Sequence, residues 1–202
     1  MAQEKVSEPF YAQRGQADAN TTVHGVNPAF LIEKITRERI LDSLYFKDQC
    51  FGLTASTVLD RVVGLTYIGG IYSIGRPTEF ICLVFKMLQL APEKDIILHY
   101  LHDDEFKYLR ALAALYVRLV FSPKDVYLTL EPLLTDYRKL KVRGQNGFRL
   151  DYMDNFIDQL LTEPRVFDIA LPNLMSRPLL EDLDELEPRE SVLQAELESD
   201  GE

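Results

Sequence analysis

Residues 77–92 read PTEFICLVFKMLQLAP, and this segment predicts the centre of the fold. Pro77-Thr78-Glu79 has the pattern of a helix start, and Ala91-Pro92 ends the helix because proline cannot continue its hydrogen bonds. Between these ends, residues 80–90 are apolar on almost every side. A helix without a polar face is usually buried all round, so we expect this one to be the central helix of the core.

Helices are also predicted on both sides of the central one, from cap residues followed by apolar residues at helical spacing. One helix extends from Asn27-Pro28 to about Phe46, and a second extends from Thr54 to about Tyr67. Gly69-Gly70 is expected to end the second helix, since glycine readily takes the left-handed backbone of helix ends. The remaining helices are expected to start near Pro92, Asp103, Ser122 and Asp154.

Other prolines and glycines mark interruptions of this helical pattern. Pro132 should kink or split the helix that starts at Ser122, and residues 71–76 are expected to form a loop. Residues 140–151 alternate in character around Asn146-Gly147, a pair that favours a tight turn, and therefore predict a small β-hairpin. The expected fold class is all-α, a compact single domain of many helices with one small β-hairpin near residues 140–151.

Charge is distributed unevenly along the chain. The net charge of the 202 residues is −10, and residues 181–202 hold ten acids and one base. We expect residues 1–22 to be disordered, 23–178 to form the helical domain, and 179–202 to form an acidic, partly helical tail. No apolar run reaches the roughly 18 residues that span a bilayer, so we expect no membrane segment. Residues 1–5 lack the charged-then-apolar order of a signal peptide, so we do not expect secretion.

The residues that most often carry chemistry give no catalytic pattern. Cys50 and Cys82 lie in apolar surroundings and are expected to be reduced core thiols. His99 and His102 share a helix face ahead of two aspartates, but a closed metal site usually needs four ligands. No phosphate-binding loop or nucleophile elbow occurs. We therefore expect no enzyme, no cofactor and no metal. The alternative is a hydrolase that uses Cys50 or the two histidines.

A local basic patch lies around the predicted hairpin. Its bases and the aromatic residues interleaved with them are Arg138, Lys139, Lys141, Arg143, Arg149, Tyr137, Phe148 and Tyr152. Three interpretations remain open at this point. The patch could contact RNA through phosphates and stacked bases, it could bind an acidic helix of a partner, or it could be an ordinary solvated surface.

Many long segments, in order along the chain, carry a family resemblance. They are HGVNP (24–28), CFGLTA (50–55), PTEF (77–80), KMLQLAPEKDII (86–97), FKYLR (106–110), ALYVRL (114–119), LEPL (130–133), DYRK (136–139) and VFDIALP (166–172). Together they resemble the pre-mRNA-splicing factor 38 family over about residues 23–177. Phe167 departs from the cysteine of the animal-type pattern. Residues 1–202 contain no Arg/Ser-rich run of the kind that extends animal-type members.

The resemblance implies a non-enzymatic scaffold in the nucleus that is needed for pre-mRNA splicing at the activation stage. It implies partners among components of the U4/U6·U5 particle, including a zinc-finger protein and a protein with a long single helix. The alternative is a splicing protein that binds RNA through residues 138–149. No membrane or small-molecule partner is implied.

Aromatic and basic residues are the candidates for partner binding, because aromatic side chains dominate interface energetics. Burial in the core of this chain is the competing expectation for each aromatic residue. The candidate residues are Tyr45, Phe46, Tyr67, Tyr72, Tyr137, Arg138, Lys139, Lys141 and Arg143.

Overall fold

A computed structural model of the chain describes residue 17 and residues 22–189, and helices predominate among them. The α-helices are α1 (Lys34–Asp42), α2 (Val58–Val63), α3 (Glu79–Leu90), α4 (Lys94–His102), α5 (Lys107–Val120), α6 (Pro123–Leu130), α7 (Met153–Thr162) and α8 (Arg177–Asp182). Shorter helical turns cover Pro28–Leu31, Phe46–Cys50 and Glu131–Thr135. The strands are β1 (Ile68–Gly69), β2 (Ile71–Tyr72), β3 (Arg76–Pro77), β4 (Lys139–Gly144), β5 (Gly147–Tyr152), β6 (Arg165–Val166) and β7 (Ile169–Ala170).

Helix α3 is the buried central helix that its sequence predicts. Thr78 caps it by accepting a hydrogen bond from the backbone N–H of Ile81 at 3.3 Å, and Ala91 ends it in the left-handed conformation. Residues 80–88 are all buried, and helix α5 supplies the other large share of the core. The Thr78 hydroxyl also donates to the carbonyl oxygen of Gly69 at 2.6 Å, which joins the central helix to strand β1.

The two helices predicted before the central one are shorter and more broken than expected. Asn27 caps only the turn Pro28–Leu31, because Ile32 is extended and fully buried, and α1 starts afterwards. Arg37 donates to the carbonyl oxygen of Ile32, one of the groups that this break leaves without a helical partner. The second helix is limited to α2, since the residues before it form a hydrogen-bonded turn between Thr54 and Thr57.

Small sheets are more extensive than the single predicted hairpin. The predicted hairpin β4–β5 forms, but its turn is Gln145-Asn146, one residue earlier than expected, and Gly147 is the first residue of β5. Strand β1 adds to the hairpin in parallel and pairs Ile68 with Val142. Two further antiparallel pairs, β2–β3 and β6–β7, occur among the described residues. The segment 71–76 is therefore a hairpin rather than a loop, and the fold is mostly helical with minor sheets.

Gly69-Gly70 does not end a helix, and this prediction is wrong. Both glycines lie where another backbone approaches too closely for a side chain. A Cβ on Gly69 would lie 2.6 Å from the carbonyl oxygen of Arg143, and a Cβ on Gly70 would lie 2.7 Å from the carbonyl carbon of Phe167. Phe167 itself packs against Phe80 and Phe156, with ring centroids 5.7 and 5.5 Å apart. The glycine pair thus lets the β6–β7 hairpin dock on the core.

The described ends of the chain pack on the domain. The backbone of Ala17 is hydrogen-bonded to the Asn27 side chain, and Leu180 and Leu186 form a small cluster with Tyr127. Arg177 binds Glu131 beside that cluster, with Nε and Oε1 2.6 Å apart. The remaining residues of the predicted disordered segment and of the acidic tail, 1–16, 18–21 and 190–202, lie outside the described residues. Within residues 22–189, no helix is both long and apolar enough to span a bilayer.

Candidate functional site

The outer side of the β4–β5 hairpin carries cations on one strand and apolar groups on the other. The register pairs Lys139 with Tyr152, Lys141 with Leu150 and Arg143 with Phe148. Directly opposed residues of an antiparallel pair lie on the same side of a sheet. We call the surface formed by these six residues the cationic–aromatic face. Its three apolar members are substantially exposed, with Leu150 the most exposed at 60%.

Cations and aromatic rings are in direct contact on this face. The Lys141 ammonium lies 4.0 Å from the centroid of the Phe148 ring, and the Arg143 guanidinium lies 4.6 Å from it. Arg143 also lies 4.8 Å from the Tyr72 centroid, and Tyr67 meets Phe148 edge-on at 5.3 Å. The candidate residues Tyr67 and Tyr72 therefore border the face. At exposed sites, each such contact attracts the cation to the ring by about 0.5–1 kcal/mol.

The opposite side of the hairpin explains why the basic patch does not act as one unit. Leu140 and Val142 point into the core, as alternation along β4 requires. Arg149 points to that same side of the sheet and pairs with Asp151, its Nη2 3.3 Å from Oδ2. Arg149 is thus separated from the cationic–aromatic face although it is close to it in sequence.

Arg138 is held in a separate ionic cluster. Its guanidinium donates to the carboxylate of Asp136 and to the backbone carbonyl of Asp104. Arg110, which is buried, donates to the same Asp136 carboxylate at 2.7 Å and to the carboxylate of Asp104. Burial acts to raise the pKa of Asp136, but the hydrogen bonds from Arg138 and Arg110 outweigh it and lower that pKa to about 2. Tyr137 lies between Asp136 and Arg138 and is exposed.

Two aromatic candidates lie away from the hairpin. Phe46 is buried in the core, with its ring centroid 5.6 Å from that of Phe85, so its side chain offers no surface to a partner. Tyr45 is half-buried and packs against the same core, and this burial raises its pKa. For Phe46, the structure therefore shows the competing expectation, burial in the core of this chain.

The candidates for catalysis show no activation. Cys50 and Cys82 are fully buried, and that burial raises the pKa of both thiols to about 12. His99 and His102 are exposed, and a ring nitrogen of His102 contacts the backbone carbonyl of Leu98 at 2.6 Å. Among residues 22–189, no three His, Cys, Asp or Glu side chains are grouped so that they could hold a metal ion.

We expect both thiols to be inert in the folded protein, because nucleophilic attack needs a thiolate and access to the reagent. With a chromogenic disulfide reagent at pH 8, fewer than about a tenth of the thiols should react within the minutes that a free cysteine needs. In denaturant, both thiols should react at once, which provides the internal control. Rapid modification of Cys50 in the folded protein, located by mass spectrometry, would reopen the hydrolase interpretation.

Leu150 is the member of the face that sequence reasoning missed. Phe148, Leu150 and Tyr152 follow one another at every second position, which is the periodicity of one side of a strand. That signal was available, but a search for clustered bases and aromatic residues passes over an aliphatic residue between them. The face becomes recognisable only when the cross-strand register is known.

Comparisons with known proteins agree with one another over most of the chain. The PRP38 family model matches residues 21–184. A Schizosaccharomyces pombe protein named pre-mRNA-splicing factor 38 is 57% identical over 181 residues, which are 90% of this chain and 84% of the relative. Pre-mRNA-splicing factor 38A of Homo sapiens is 49% identical over 189 residues, which are 93% of this chain and 60% of the relative.

A solved structure shares both fold and sequence. One chain of the crystal structure of the Snu23–Prp38–MFAP1(217–258) complex of Chaetomium thermophilum matches with a TM-score of 0.81 and 48% identity. The match covers 88% of this chain and 97% of that one. The chain spans only 60% of the length of its vertebrate relatives, such as the Xenopus tropicalis protein.

Proposed function

The chain belongs to the PRP38 family, and from that membership we propose that it is a protein-binding scaffold of the spliceosome and not an enzyme. The observation that carries this proposal is the Chaetomium thermophilum structure, a complex of Snu23, Prp38 and a segment of MFAP1. At 48% sequence identity over most of both chains, this chain shares the fold of that relative. A helical body with exposed apolar and charged faces suits that role.

The finer proposal is a role at the activation stage of splicing. In it, the protein is nuclear and acts with components of the U4/U6·U5 particle before catalysis. Its partners include a zinc-finger protein and a protein that contributes one long helix. The family resemblance supports these details, and the compact helical domain is compatible with them, because a partner helix can lie in a groove or on a face of such a body.

Mass spectrometry of what co-purifies with the tagged full chain tests the scaffold function. From nuclear extract at moderate salt, splicing proteins should be enriched at least about tenfold over a mock purification. A tenfold difference in affinity corresponds to about 1.4 kcal/mol of binding free energy. The tag alone, carried through the same extract, is the matched control for capture that does not depend on this chain. A parent bait without splicing proteins above the mock level would refute the proposal.

The stage of action has its own measurement. Extract depleted of the protein should assemble the U4/U6·U5 particle onto pre-mRNA and then stall before the first catalytic step. Adding back the purified chain should restore progress. Stalling before the particle joins, or only after the first step, would contradict the proposal of a role at the activation stage. It would leave the proposed scaffold function unaffected.

A further inference from the structure

We propose that the cationic–aromatic face docks an acidic, amphipathic helix of a partner protein, with a carboxylate at every fourth position of that helix. This inference rests on the proposed scaffold function and gives it a location and a partner chemistry. The observation that supports it is a row of three cations on β4 beside a row of three apolar groups on β5. The cations are Lys139, Lys141 and Arg143, and the apolar groups opposite them are Tyr152, Leu150 and Phe148.

The spacing of the cations matches a helix. Side chains on one side of a strand repeat every two residues, which is about 6.7 Å along β4. Four residues of an α-helix rise about 6 Å. A helix laid along β4 therefore brings carboxylates at positions i, i+4 and i+8 close to Lys139, Lys141 and Arg143 in turn.

The apolar row supplies the second stripe of the same contact. Positions i+3 and i+7 of a helix lie beside the row i, i+4, i+8. Apolar side chains at those positions would cover Phe148, Leu150 and Tyr152, whose exposed fractions are 49%, 60% and 37%. Covering these groups removes apolar surface from water, which favours association. The expected partner segment is thus a helix of about three turns, with one acidic stripe and one apolar stripe side by side.

The cations of the face are available for a partner. Among the described residues, Lys139, Lys141 and Arg143 make no salt bridge with a carboxylate. Stacking against Phe148 and Tyr72 already restricts Lys141 and Arg143, which lowers the entropy lost on binding. Lys107 donates to the backbone carbonyl of Lys139 at 2.7 Å and places a fourth cation at that end.

A protein helix suits the face better than RNA does. Lys141 and Arg143 lie over the Phe148 ring and Tyr67 meets its edge, so a base could stack on the ring only by displacing these groups, whereas an apolar side chain can pack against the part of Phe148 that stays exposed. Leu150, the most exposed member, is aliphatic and has no stacking role.

Site-specific photo-cross-linking in nuclear extract tests the proposal on the full chain. Leu150→p-benzoylphenylalanine places the cross-linker on the face, and Leu128→p-benzoylphenylalanine on α6 is the matched control, because Leu128 has a similar exposure of 55%. Position 150, and not position 128, should capture a splicing protein at a segment with carboxylates at i, i+4 and i+8. Adding Lys141→Glu should reduce that product at least about fivefold, and Arg149→Gln, which alters the other side of the hairpin, should leave it within about twofold.

The other outcomes overturn the proposal. They are RNA as the main product at position 150, a cross-link to residues 190–202 of the same chain, a captured segment without the acidic repeat, and a yield no higher than at position 128. If splicing proteins still co-purify with the parent chain, such a result removes this docking site alone. If none co-purify, the scaffold function fails as well, and the two failures are thereby distinguished.

Discussion

Replacing Gly70 by alanine is expected to destabilise the protein by about 3 kcal/mol, since forcing atoms into a packed contact costs about 1–3 kcal/mol and more when backbone must move. The new Cβ would overlap the backbone carbonyl of Phe167, which cannot rotate away as a side-chain end can. Relief requires the β6–β7 hairpin to shift and to pull the Phe167 ring from its place against Phe80 and Phe156. Thermal unfolding should show a melting temperature lower by roughly 6–12 °C for a chain of this size.

The matched control is Gly52→Ala. A Cβ on Gly52 meets no atom within 4 Å, and its backbone is not in the left-handed region. Alanine there should change the melting temperature by no more than about 2 °C, because restricting the unfolded chain has only a small effect. Equal melting temperatures for Gly70→Ala and the parent would show that the β6–β7 hairpin is not packed against Gly70 as described.

Local sequence signals predicted those parts of the fold that local chemistry determines. Thr78 and Ser122 cap their helices through the expected side-chain hydrogen bonds, and Pro132 interrupts the helix before it as proline must. Asn146 lies in the turn of the hairpin. In each case, the deciding contacts join residues no more than four positions apart. Such contacts are legible in a linear pattern.

The glycine pair shows why the rest of the fold was not predictable in the same way. Strand β1 has only two residues and pairs with Val142 and Arg143, more than seventy positions later. A strand of two residues is too short to show the alternation that identifies a strand in a sequence. A Gly-Gly pair also fits both a helix end and a close approach of two backbones, so the residues alone do not distinguish the two. Only the tertiary arrangement separates these two explanations of Gly69-Gly70.

The candidate site was half predictable for a related reason. Lys141, Arg143 and the bordering Tyr67 and Tyr72 were selected from sequence, and the structure brings them together around Phe148. Arg138 was grouped with them because it is adjacent along the chain. Its guanidinium instead binds the carboxylate of Asp136, two residues before it. A base that is close to a basic run in the sequence therefore need not lie on the same surface.

Replacing Asp136 by asparagine is expected to lower the free energy of unfolding at pH 7 by about 3 kcal/mol, because breaking a buried pair leaves the remaining charge without compensation. The Asp136 side chain is 9% exposed and accepts hydrogen bonds from both Arg110 and Arg138, at 2.7 and 2.6 Å. An amide offers those guanidinium groups a single neutral acceptor oxygen. Buried Arg110 would then keep its charge with only the exposed Asp104 carboxylate and the carbonyl oxygen of Leu101 as partners. Urea unfolding measures the loss.

At acid pH, the difference in the free energy of unfolding between the parent and the Asp136→Asn variant should disappear. The pKa of Asp136 is about 2 in the folded protein and near 4 in an unfolded chain, so the unfolded state binds the proton first as pH falls. The stability that this carboxylate contributes is therefore complete above about pH 4 and is lost as pH falls from about 4 towards 2. The free energies of unfolding of the two proteins should converge over that interval.

Asp104→Asn is the control with the same arginine partner, and it should lower the free energy of unfolding by no more than about 1 kcal/mol, because its carboxylate is exposed. Equal losses for the two variants at pH 7, or a difference that persists unchanged to pH 2, would contradict a stabilising role for buried Asp136.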